Sequence, residues 1–209
     1  DYLSHLVDRI EFQQALEIEP TNAQHAIFAG NIHAGRDETE AAKTWFSRAT
    51  TINPREPWGW AGLAEAHRQS GATDEALVSI RSARSRSPKN NGFRVAEARI
   101  LRESGRGREA AQLLFAIDLD QRATPAITAE LCAACSLIGE HRLAADAWSA
   151  LHARSPDDHM AATNAALAWI QAGEPAEAAT WLEAAAAAGA DPEELESIRR
   201  DLSHPTQPR

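Results

Sequence analysis

Residues 57–90 read PWGWAGLAEAHRQSGATDEALVSIRSARSRSPKN, and the fold follows from this stretch. Its first half places Trp60, Leu63, Ala64 and His67 at helical spacing, and its second half does the same with Ala76, Ile80 and Ala83. Residues three and four apart share one face of an α-helix. Between the halves stands Gly71, where a chain leaving a helix enters a left-handed conformation that glycine adopts without steric cost. Pro88 lacks the amide hydrogen that a helix interior needs, so the second helix stops before it. The stretch is predicted to be two antiparallel helices joined by a tight turn.

Working outward, Gly71 recurs as Gly105, Gly139 and Gly173, each 34 residues on and each followed five residues later by an alanine: Ala76, Ala110, Ala144 and Ala178. Pro20, Pro54, Pro88 and Pro156 hold one further position of the same period. A fixed period in this range is the mark of stacked supersecondary units. In register the units are 23–56, 57–90, 91–124, 125–158 and 159–192, with no insertion. The small alanine allows the second helix to lie close against the first. Unit 125–158 carries Leu131, Cys132, Cys135, Ala144, Trp148 and Leu151 at the patterned positions, and 159–192 carries Ala165, Ala166, Trp169, Ala178, Leu182 and Ala185.

This pattern of a large residue, a small pair, an aromatic, then alanine, aromatic, alanine and proline resembles the tetratricopeptide repeat family over 23–192. The resemblance implies an all-α, right-handed superhelix, a solenoid of five helical hairpins whose stability comes from nearest-neighbour packing. Departures fall mainly in the third unit, where Arg94 and Glu97 stand at apolar positions and Arg122 replaces the proline; Asp37 replaces the first unit's glycine. Residues 1–22, with Phe12, Ala15 and Pro20, fit the second half of a preceding repeat, so either the array opens on a lone helix or it continues a longer array. A capping helix is expected over 193–203, with Leu195, Ile198 and Leu202 forming its apolar stripe, and a disordered tail over 204–209.

Composition agrees with a helical protein. Alanine, the best helix former, is abundant, while Val, Ile and Thr are too scattered for a sheet. No apolar run approaches the roughly 20 residues of a membrane span, and no charged-then-apolar leader follows Asp1. The net charge of −9 is unevenly placed: residues 81–108 carry nine bases against two acids, whereas both ends are acidic. That basic belt raises the question of nucleic acid, but the pI near 5.4 and the lack of interleaved aromatics argue against it.

Three other features invite a chemical reading. Cys132 and Cys135 form a C-x-x-C on a helix, without a second pair or a strand–helix setting, so buried structural thiols are expected rather than a metal or redox site. They leave the compartment open between cytoplasm and periplasm. His33 and His67 share one offset in neighbouring repeats, where packing with a satisfied ring nitrogen is expected rather than ligation. No phosphate loop, H-E-x-x-H or G-x-S-x-G occurs, so no enzyme activity, cofactor or metal is expected.

The resemblance then supplies a function: in this family the first helix of each hairpin lines a concave groove that receives peptides. Carried over position by position, the partner-binding set is Phe28, Asn31, Trp58, Glu65, Arg68, Arg99, Arg102 and Leu167, with Ile27, Val95, Glu130, Leu137, Met160 and Thr163 at further groove offsets. Of the family's C-terminal carboxylate clamp only Asn31 is matched, while Ile27, Gly62, Gly92 and Ala96 fail it. The expected function is a protein-binding scaffold or adaptor, of the kind that holds clients in bacterial secretion, envelope or biogenesis complexes. Two alternatives stand beside it: the recognition module of a larger enzyme or regulator, and a structural repeat protein that self-assembles into homo-oligomers. A plainer reading of Arg68, Arg99 and Arg102 is that they pair with neighbouring acids.

Overall fold

The computed structural model of the chain describes Gln14, residues 22–118 and residues 124–203, with side chains to residue 200. The described residues are helical throughout, without a strand: α1 (Ala23–Ala34), α2 (Thr39–Ile52), α3 (Pro57–Gln69), α4 (Thr73–Arg86), α5 (Asn91–Glu103), α6 (Gly107–Phe115), α7 (Pro125–Leu137), α8 (His141–Arg154), α9 (His159–Gln171), α10 (Pro175–Ala187) and α11 (Pro192–Ser203). Among them α1 packs with α2, α3 with α4, α7 with α8 and α9 with α10 as helical hairpins. Apart from Gln14 and Asn22, the partial repeat expected over 1–22 lies outside the described residues, as do Arg122 and the tail 204–209. The chain divides into two compact units, 1–100 and 101–209, and the division falls in α5, inside the repeat with the most departures.

The turn between paired helices is the same in every repeat. Gly71, Gly105, Gly139 and Gly173 have φ of +74°, +79°, +78° and +76°. Behind each, the next amide reaches back to the helix it has left: Ala72 N–H donates to the His67 carbonyl at 2.9 Å and Glu140 N–H to that of Cys135 at 2.9 Å. This is the glycine-ended Schellman closure, which satisfies carbonyls left open at a helix terminus. Asp37 takes the same place with φ +60°, and Glu38 N–H closes the loop on His33. Aspartate tolerates that region at a cost of roughly 1 kcal/mol, so Asp37→Gly should raise the thermal midpoint, and an unchanged or lower midpoint would refute this account of the turn.

The second helices end as proline requires. Asn53, Ser87 and Ser155, each just before a proline, leave the helix with φ near −134°, −139° and −137°; a proline ring clashes with a helical predecessor. Pro192 plays a different part from the one its place at the repeat's end suggests. It is the first residue of α11, a position where a missing amide hydrogen costs nothing. Leu195 and Ile198 of α11 are buried on Ala162, Ala166, Leu182 and Ala185 of α9 and α10, which covers the end of the second unit's core.

The first unit's core centres on Phe46. Its ring, 3% exposed, sits between Gly30 of α1 and Gly62 of α3. A Cβ on Gly30 would lie 2.6 Å from the ring, and one on Gly62 closer still. Two glycines on flanking helices thus form the slot that lets α2 seat an aromatic between them, with Ile27, Trp45, Ala49 and Leu63 around it. Ile27, expected at the groove, is part of this core instead.

The charged departures of the third repeat are accommodated by its neighbour. Glu97 is 3% exposed; its Oε1 accepts from Arg81 Nε at 2.8 Å, and Arg84 Nε lies 2.9 Å from its Oε2 as an ion pair, both arginines coming from α4. An acid stands in an apolar slot because two cations from the preceding helix meet it there.

Candidate functional site

The expected partner-binding residues occupy only a few positions of the repeat. Asn31, Glu65, Arg99 and Leu167 fall at one offset of the 34-residue register, and Arg68 and Arg102 at another. Trp58 and Met160 share a third. Each lies on the first helix of its hairpin.

In the first unit, Phe28 is 59% and Trp58 55% exposed, an unfavourable state for large apolar side chains unless something covers them. Trp58 is held in place by an edge-on contact to buried Phe93, with ring centroids 5.1 Å apart. Asn31 and Arg99 are exposed, while Glu65 and Arg68 are half-buried. Arg68 grips Glu65 through Nε at 2.9 Å and Nη2 at 2.7 Å, and Gln69 Nε2 adds a third donor at 3.2 Å. The Arg68 hydrogen bond, reinforced by the charges of Arg68 and Arg99 and by Gln69, holds the Glu65 carboxyl below its ordinary range despite partial burial. The surface therefore carries a carboxylate held by Arg68 with the Arg99 charge near it, and exposed aromatic side chains at Phe28 on α1 and Trp58 on α3.

In the second unit, Arg102 turns to a buried partner. Its Nε donates to Glu130 at 2.6 Å, and Glu130 is 7% exposed, so a half-buried arginine at this groove offset is tied to a buried acid. Glu103 lies 3.9 Å from Arg102 on its other side. Leu167, Met160 and Leu137 do face outward, at 37%, 55% and 52% exposure. Val95 and Thr163, also expected at the groove, are buried. Sequence offsets locate the first-helix face well but blur its edges, because one residue shifts a side chain by about 100° around the helix.

The plainer reading of the arginines describes several of them. Arg68 and Arg102 have acid partners, Arg106 clasps Glu109 at 2.7 and 2.6 Å, and Arg86 lies over Trp60 with its guanidinium 4.7 Å from the ring centre. The basic belt is in good part a set of local pairings.

The remaining candidates are packing residues. Both cysteines are unpaired and buried, and Cys132 Sγ donates to the Ala144 carbonyl at 3.3 Å. Burial, with the Glu140 charge, pushes the Cys135 thiol up to about 11, and burial with the neighbouring thiol pushes Cys132 higher. So high a pKa leaves about a hundredfold less of the reactive thiolate at pH 8 than an ordinary cysteine has. Iodoacetamide should therefore label the native chain at least about a hundredfold more slowly than the urea-unfolded chain; equal rates would restore the dithiol reading. His33 Nδ1 meets Glu38, and His67 Nδ1 lies 3.4 Å from Ser79 Oγ. Among the described residues no cluster of His, Cys, Asp or Glu could hold a metal ion, and no helix is long and apolar enough to cross a membrane.

Comparison with known proteins gives a consistent picture. Two family models described as tetratricopeptide repeat match residues 67–135 and 138–193, together more than half of the chain. No curated protein matches by sequence. Among solved structures, YrrB, described as a TPR protein with an unusual peptide-binding site, superposes with a TM-score of 0.67 at 17% identity, covering 90% of this chain and 97% of that one. PilF of Pseudomonas aeruginosa gives 0.67 at 19% identity over 87% and 82% of the two chains, and MamA 0.66 at 13% over 90% and 97%. At these identities the likeness is one of fold.

Proposed function

This chain belongs to the tetratricopeptide repeat family, and from that membership we propose that it is a non-catalytic scaffold that binds a peptide segment of a partner protein along its first helices. The observation that carries the reading is the exposure of large apolar side chains on that face: Phe28 and Trp58 in the first unit, Leu137, Met160 and Leu167 in the second. Exposed aromatics become binding hot spots once a partner excludes water from them. The Arg68–Glu65 pair at the far end of α3, with the Arg99 charge near it, supplies direction and polarity. Glu65 holds Arg68 in one rotamer, so a partner carboxylate would meet a guanidinium already ordered. The peptide-binding site named for YrrB is consistent with this use of the fold. A place in a bacterial assembly or biogenesis complex is the corresponding proposal for its setting.

Affinity capture of partner proteins with the wild-type chain and with Arg68→Glu/Arg99→Glu in parallel tests the charged part of this surface. A protein retained by the wild type and lost by the reversed form places binding on the first-helix face. Equal retention by both forms means that these two arginines take no part.

A further inference from the structure

The charged cluster of the third repeat has a feature that core packing does not require. Beside the Glu97 ion pairs, a cleft of about 180 Å³ opens in the first unit, lined by Arg81, Arg84, Ser85, Pro88 and Arg94. The guanidiniums of Arg81 and Arg84 outnumber the single Glu97 carboxylate, so this group is positive by one charge. The carboxylate lies beneath, 3% exposed, while the side chains of Arg81 and Arg84 are 48% and 34% exposed. Arg81 directs its Nε at Glu97 Oε1, and Arg84 Nε lies 2.9 Å from Oε2 as an ion pair. A guanidinium has four further N–H donors on its Nη atoms, and none of these is hydrogen-bonded to another described residue in Arg81 or Arg84. Ser85 directs its hydroxyl to the Ser82 carbonyl at 2.9 Å, so donation into the cleft comes from arginine.

The C-terminal end of α4 favours cations through its dipole, which accounts for Arg84 and Arg86. It does not account for Arg94, which comes from α5 and stands where the repeat pattern has an apolar residue. We propose that this cleft is a binding site for a single oxyanion group, a carboxylate or a phosphate, held by the Nη donors of Arg81 and Arg84 with Arg94 adding charge. Glu97 is a positioning residue: it fixes two arginines side by side, so little side-chain freedom is lost when a second anion arrives. The site is distinct from the first-helix surface, since Arg94 and Arg99 are five residues apart on α5 and point about 140° from each other. It does not depend on the peptide-binding reading.

The test follows the arginine Nε–Hε resonances of the full chain while it is titrated with sodium phosphate and, separately, sodium acetate, ionic strength being held constant with chloride. Saturable shifts at Arg81 and Arg84 are expected. A response to phosphate alone points to a phosphate source and a response to acetate to a carboxylate source. Arg94→Gln should weaken binding at least about threefold, the scale of a half-exposed charge pair. Glu97→Gln, which keeps the shape but gives up the carboxylate that positions the arginines, should weaken it by a similar factor. Absence of a saturable shift with either anion, or affinities unchanged in both variants, would show the cluster to be structural only.

Discussion

Phe46→Ala should destabilise the first unit by about 3–5 kcal/mol, the range for removing a buried aromatic whose cavity cannot close. Collapse is prevented here by the arrangement around the ring. Its neighbours in the slot are Gly30 and Gly62, which have no side chains to move into the void, and α1 and α3 are held apart by Ile27, Trp45 and Leu63. The reverse perturbation is informative too. Gly62→Ala places a methyl where the ring now lies and should cost about 1–3 kcal/mol through overpacking. The two changes share one slot, so their effects should not add: the double variant should be more stable than the sum of the single losses predicts. Urea unfolding with hydrogen exchange resolved over α1–α3 is the suitable measurement, because a repeat array need not unfold as one body. A loss below about 1 kcal/mol for Phe46→Ala would mean that the slot is not what holds the hairpins together.

Arg81→Ala/Arg84→Ala should cost nearly as much, about 3 kcal/mol, the low end of the range for leaving a buried charge without its partners. The arginines are themselves half in water and gain little from their pairing; the loss comes from Glu97, which has no solvent to turn to. Removing the acid as well should therefore restore stability. Arg81→Ala/Arg84→Ala/Glu97→Leu is expected to recover most of the loss, since an apolar residue suits this position in the repeat. If the triple variant is no more stable than the double, the buried carboxylate is not the source of the cost.

How much of this could be read from the sequence varies with the physics behind each feature. Helix ends were legible because they depend on single residues: the positive φ at Gly71 and its three repeats, and the helix stops before Pro54, Pro88 and Pro156, each follow from one side chain's sterics. Asp37 could be placed at the same turn by its offset alone. Pair partners were not legible. Arg81 and Arg84 read as part of a basic belt and Glu97 as a lapse in the apolar pattern; their joining requires α4 and α5 to be packed together. The same holds for Arg102 and Glu130, 28 residues apart, which the groove offsets treat as two outward residues. Phe46 gave no signal of its importance, because the slot that receives it is formed by the absence of side chains on two other helices. The exposed face was legible at its centre, in Phe28, Trp58 and Leu167, and misread at its margins, in Ile27, Val95 and Thr163, where packing decides which way a border residue turns.

Peptide binding by the first helices is open to a single decisive experiment. The most direct measurement is to select peptides against the wild-type chain from a random display library and map a selected peptide by amide chemical-shift changes. Shifts are expected around Phe28, Trp58 and Arg99 in the first unit or around Met160 and Leu167 in the second, with binding lost in the matching Trp58→Ala or Leu167→Ala variant. Binding should be unaffected by Val78→Ser, which removes an equally exposed apolar side chain from a second helix. Shifts confined to the second helices, with affinity insensitive to Trp58 and Leu167 and sensitive to Val78, would contradict binding by the first helices.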